Sequence, residues 1–128
     1  MVLFYLEVVK DFWTQCWPKS KGFDTKTVSK DLAGMILLSG RYIDDSLALM
    51  EKHLVPVDYV GELIKIVEED GQYEKFSKQV VKLFRLIIDD KTYLGQEVYE
   101  FLRKLEKSNS KIVEDINYKG IKDFYKIT

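Results

Sequence analysis

The residues best equipped for chemistry in this sequence are its paired carboxylates. Asp44-Asp45 and Asp89-Asp90 each set two acids side by side, and Glu68-Glu69-Asp70 adds an acidic run. Convergent carboxylates bind divalent cations or share a proton, so two such pairs meeting in space would make a hydrolytic metal centre. Neighbouring residues on a helix project about 100° apart, however, and one Asp-Asp pair alone makes no site. A plainer role fits each group. Asp44 and Asp45 fall in the first turn of a helix, where the amide dipoles favour acids, and Asp89-Asp90 or Thr92 can cap the helix that follows. From Asp58 to Glu74 there are six acids against one lysine, which reads as a solvated acidic face.

The other reactive side chains stand alone. His53 is the one histidine, which excludes multi-histidine metal sites; near a helix end it suits the carbonyl dipole better than general-base work. Cys16, the one cysteine, sits among Phe12, Trp13 and Trp17 near a helix end, surroundings that disfavour a thiolate and favour a small buried hydrophobe. With no second cysteine there is no intrachain disulfide, and a reducing, cytoplasmic setting is the expectation. The sequence has no phosphate-binding Gly-Lys-Ser loop, dinucleotide glycine triplet, metalloprotease helix pair, paired-cysteine zinc spacing or Gly-x-Ser-x-Gly elbow. The reading is therefore a non-enzymatic protein without cofactor or metal.

Net charge is −1 over 128 residues, so no global field draws the chain onto nucleic acid or an anionic membrane. Locally, Lys19, Lys21, Lys26 and Lys30 cluster around the first loop, and Lys75, Lys78 and Lys82 repeat at i, i+3, i+7 along one helix. Such stripes can track phosphates. Only three arginines accompany them, at 41, 85 and 103, and arginine is the usual bidentate reader of phosphate. A small helical subunit of a nucleoprotein complex, contacting the nucleic-acid backbone through these lysines, is the alternative reading.

These groups must be positioned by helices, because the dominant hydrophobic period is helical. Leu94, Val98, Phe101, Leu102 and Leu105 follow i, i+4, i+7, i+8, i+11 with charged residues between them, and the pattern recurs at Phe76–Ile87, Ile43–Leu54 and Val60–Val67. Pro18, Ser39-Gly40, Pro56 with Asp58, Gly71 and Ser108-Asn109-Ser110 punctuate it, with Asp58 read as an N-cap. About six helices are predicted, at 2–17, 27–39, 42–54, 59–70, 73–89 and 93–107, with the tail 110–128 left open between a short helix and an irregular ending. No sustained alternation predicts a sheet. The expectation is an all-α, single compact domain over 1–128, a bundle of short helices stacked as antiparallel helical hairpins. Arg41-Tyr42-Ile43-Asp44-Asp45 is echoed by Arg85 to Asp90, but out of register and at opposite helix ends, so it reads as coincidence rather than a repeat.

The first predicted helix is unusual. Its polar residues Glu7, Lys10, Asp11, Thr14 and Gln15 form one narrow stripe, and the rest from Val2 to Trp17 is apolar, roughly twice the ~100° arc that a surface helix buries. Either other helices surround it, or its second face meets another chain. Phe4, Tyr5, Phe12, Trp13 and Trp17 are the residues expected to contact a protein partner or a second copy, since buried aromatics carry much of an interface's energy. The segment lacks a basic flank and is interrupted by charges, so neither a signal peptide nor a membrane span is expected. A non-enzymatic protein–protein interaction module that self-associates as a homo-oligomer, or docks on another protein, through this helix is the leading functional expectation.

Overall fold

A computed structural model describes residues 25–70 and 75–127, and among them six α-helices and no strand. These are α1 (Thr25–Leu38), α2 (Ile43–Met50), α3 (Gly61–Asp70), α4 (Ser77–Ile87), α5 (Gln96–Ser108) and α6 (Ile116–Ile127). Short 3-10 turns at Gly40–Tyr42, Glu51–His53 and Ser110–Glu114 join some of them. The all-α expectation holds. The tail left open from Ser110 is ordered: Asp115 Oδ1 accepts from Asn117 N at 2.8 Å and Tyr118 N at 3.2 Å, an N-cap that starts α6. Ile112, Tyr118 and Ile121 then bury themselves in the core.

Two other cap assignments are corrected. Asp58 does not cap α3, which begins later at Gly61; its carboxylate instead takes Lys26 Nζ at 2.8 Å. Neither Asp89-Asp90 nor Thr92 caps α5, whose N-cap position is Gly95 with no side-chain bond; the Thr92 hydroxyl is committed to the neighbouring linker. The Ser39-Gly40 break is as expected, and Gly40 stands at φ 60°, the left-handed region that a side chain makes costly. Gly71 lies outside the described residues.

The helices form two rows. Lys26 pairs with Asp58, Lys30 with Glu62, and Gly34 faces Ile66, each pair 32 residues apart. A constant offset along two helices means that α1 and α3 run parallel. The same holds for α3 and α5, where Tyr59 bridges Tyr93 at one end and Lys104 Nζ meets Glu68 at 3.0 Å further along. In the second row, Gln79 reaches Asp44 at 3.3 Å and Lys82 reaches Glu51 at 3.4 Å, so α2 and α4 also run parallel.

The core lies between the rows. Phe84 of α4 and Phe101 of α5 meet with centroids 5.2 Å apart, and Ile36, Leu37, Ile43, Leu83, Ile87, Leu102 and Leu105 fill the space around them. Burying a side chain of this size contributes about 1.5–3 kcal/mol, which is what fixes the rows against each other. The Arg41 and Arg85 echo has no structural counterpart. Arg41 precedes α2, Arg85 sits in the last turn of α4, and Asp89 and Asp90 lie in the linker.

Candidate interaction surface

The linkers before α3 and α5 are the least regular part of the described chain, and they are held tightly. Segment 54–60 runs beside segment 87–93 through three contacts. Val57 N donates to Ile87 O at 2.9 Å, Tyr93 N donates to Asp58 O at 2.8 Å, and the Thr92 hydroxyl donates to Val57 O at 2.6 Å. Thr92 Oγ1 also accepts from Asp89 N at 3.0 Å. From the other side, fully buried Ser29 on α1 donates to Val55 O at 2.7 Å and accepts from Val55 N at 2.9 Å. Two small buried hydroxyls thus satisfy linker backbone that neither helix nor sheet would pair.

This bracing presents two tyrosines to solvent. Tyr59 is 39% and Tyr93 64% exposed, with their rings 6.2 Å apart and tilted by 38°. Each is followed two residues later by a glycine that its own ring overlies. A Cβ at Gly61 would collide with the Tyr59 phenol, and one at Gly95 would come within 2.8 Å of the Tyr93 ring. Tyr59 donates to the Glu97 carboxylate, which raises the phenol above its ordinary pKa, and the same bond holds the Glu97 carboxyl below its own. The rings are exposed yet restrained, so a partner that covers them meets a surface with little side-chain freedom left to lose.

The sequence motifs fare differently. The Asp pairs do not converge: Asp44 and Asp45 lie exposed in the first turn of α2, Asp44 taking Gln79, while Asp89 accepts from Lys91 N at 2.9 Å. Among the described residues, no three of His, Cys, Asp and Glu stand together as a metal site. Glu68 of the acidic run pairs with Lys104. His53 is half-buried in the turn Glu51–His53; burial first, and then the neighbouring Lys52 ammonium, hold its pKa below the ordinary value of 6.5.

Of the candidate phosphate-contacting lysines, Lys26, Lys30 and Lys82 are in ion pairs with Asp58, Glu62 and Glu51. Those carboxylates offset the charge a phosphate would seek. Lys75, just before α4, and Lys78, in its first turn, are exposed, whereas Lys19 and Lys21 lie outside the described residues. So do Phe4, Tyr5, Phe12, Trp13, Cys16 and Trp17.

Sequence reasoning missed Tyr59 and Tyr93. A signal was present in Tyr59-Val60-Gly61 and Tyr93-Leu94-Gly95, two Tyr-aliphatic-Gly triplets that each open onto a helix. No helix among the described residues is long and apolar enough to cross a membrane. No protein-family model, curated protein or solved structure matches this chain.

Proposed function

We propose that this chain is a non-enzymatic protein–protein interaction module that self-associates, its aromatic N-terminal segment making the contact through Phe4, Tyr5, Phe12, Trp13 and Trp17. The observation that supports the reading is the restrained, exposed tyrosine pair Tyr59–Tyr93 on the linkers that precede α3 and α5. Aromatic residues are enriched in protein interfaces, and rows of stacked helices offer extended faces for binding. The pairing of Lys26, Lys30 and Lys82 with acids also favours a protein over a nucleic-acid partner. Light scattering on the eluting protein, with absorbance followed at 260 and 280 nm, tests it: the reading requires an assembly larger than one chain and free of nucleic acid.

A further inference from the structure

Lys26, Lys30, Lys82 and Lys104 each hold a carboxylate. Arg85, half-buried in the last turn of α4, holds none among the described residues. It is nevertheless fixed in place. Its guanidinium carbon lies 4.9 Å from the centre of the Phe124 ring, and Nη1 donates to Ile88 O at 3.4 Å. Its stem crosses α6 at Gly120, where an added Cβ would come within 2.5 Å of Nε and 3.0 Å of Cδ. Glycine weakens a helix interior, and here it clears the path that the arginine takes. The long bond to a neutral carbonyl engages one of five donors and leaves the charge uncompensated. Beside Arg85, between α4 and α6, runs a groove of about 570 Å³. Leu86 and Ile116, the latter 81% exposed, line it with apolar surface, and Lys119 and Asp123 line it with charge.

We propose that this groove receives an acidic side chain of a protein partner, its carboxylate on the remaining edge of the Arg85 guanidinium and a neighbouring apolar residue against Leu86 and Ile116. Charge complementarity favours this occupant. A planar guanidinium takes a carboxylate through two parallel hydrogen bonds, and one already held against Phe124 and Gly120 loses little freedom on pairing. Arg85 and Lys119 against Asp123 leave the groove one net positive charge, which one carboxylate neutralises. A nucleic-acid backbone seeks a track of cations, and Asp123 would repel it. The apolar surface at Leu86 and Ile116 gains from a partner side chain that removes it from water, which a free phosphate would not supply. Arg41 and Arg103 also lie over rings, those of Tyr42 and Tyr99, but both are exposed, so they serve as internal references. The inference rests on neither self-association nor the N-terminal segment.

With three arginines in the chain, arginine labelled with nitrogen-15 gives three Nε–H signals, and Arg85→Lys assigns the one that matters. The full chain is titrated with acetyl-aspartyl-leucinamide, with acetyl-asparaginyl-leucinamide and with inorganic phosphate, at mildly acidic pH and constant ionic strength. The expected result is a saturable shift of the Arg85 signal by the aspartyl probe, several-fold larger than at Arg41 and Arg103 and absent with the asparaginyl probe. Ile116→Ser, a change at an exposed site, should retain the helical circular dichroism and weaken that binding at least about threefold. No shift at Arg85, or equal shifts at all three arginines, would overturn the inference. So would an equal response to phosphate, or unchanged affinity in Ile116→Ser, either of which would reduce the groove to a plain anion contact.

Discussion

The Ser29 hydroxyl hydrogen-bonds both polar groups of a single residue, Val55, donating to its carbonyl at 2.7 Å and accepting from its amide at 2.9 Å. One fully buried side chain on α1 thereby ties the linker that delivers Tyr59. Replacing Ser29 with alanine leaves both the part-buried amide and the part-buried carbonyl of Val55 without this partner. We expect Ser29→Ala to cost about 2–4 kcal/mol in urea unfolding. A loss under about 0.5 kcal/mol would show that water satisfies Val55 instead.

Thr92 does the same work from the opposite linker, and its methyl group separates the hydrogen bond from packing. Thr92→Val keeps the shape but loses the 2.6 Å bond to Val57 O and the acceptor for Asp89 N. The expected loss is about 1–3 kcal/mol. Thr92→Ser, which keeps the hydroxyl, should recover more than half of it; equal losses in the two variants would assign the effect to the methyl group.

Gly61→Ala probes the tyrosine pair with little cost to the fold. Alanine at the first position of α3 is at least as good a helix former as glycine, worth up to about 1 kcal/mol. Its Cβ nevertheless displaces the Tyr59 ring and breaks the bond to Glu97. We expect near-unchanged stability together with weakened self-association and an altered near-ultraviolet circular dichroism spectrum. Unchanged association would remove the tyrosine pair from the interface.

His53 sets a pH response. Its folded pKa lies below 6.5 because burial, and secondarily Lys52, disfavour the cation. As pH falls through the unfolded value the unfolded chain takes up the proton first, so stability is lost on acidification until the folded pKa is reached. Urea midpoints should therefore begin to fall as the pH drops through the unfolded value near 6.5, above the range where most carboxylates titrate. His53→Gln should flatten that part of the profile, and an equally steep variant would assign the slope elsewhere.

Much of the helical fold was legible because periodicity reports which faces are buried. Leu94, Val98, Phe101, Leu102 and Leu105 read as one apolar face; the last four are buried and Leu94 is partly buried against the core. Ser39-Gly40 was legible because a left-handed residue needs glycine. The caps were harder: Asp58 carries the right chemistry for an N-cap, but the ion pair with Lys26 claims it, and that partner is 32 residues distant. Asp115 carried the same local signal and was passed over beside an ambiguous tail. Tyr59 and Tyr93 were invisible as a pair because their meeting depends on the parallel run of two linkers, a tertiary fact that Ser29 and Thr92 enforce through backbone bonds. The Arg41 and Arg85 segments share residues without sharing a place in the fold, whereas the helix rows rest on contacts between unlike residues such as Lys30 and Glu62.

The most direct test of self-association is the absolute mass of the untagged, full-length protein by size-exclusion chromatography with light scattering, across a dilution series and with absorbance at 260 and 280 nm. The expected result is a protein-only assembly above the 15.1 kDa of one chain, reduced toward that mass by Phe12→Ala or Trp17→Ala. A mass of one chain at every concentration would contradict it, as would an assembly that exists only with nucleic acid bound.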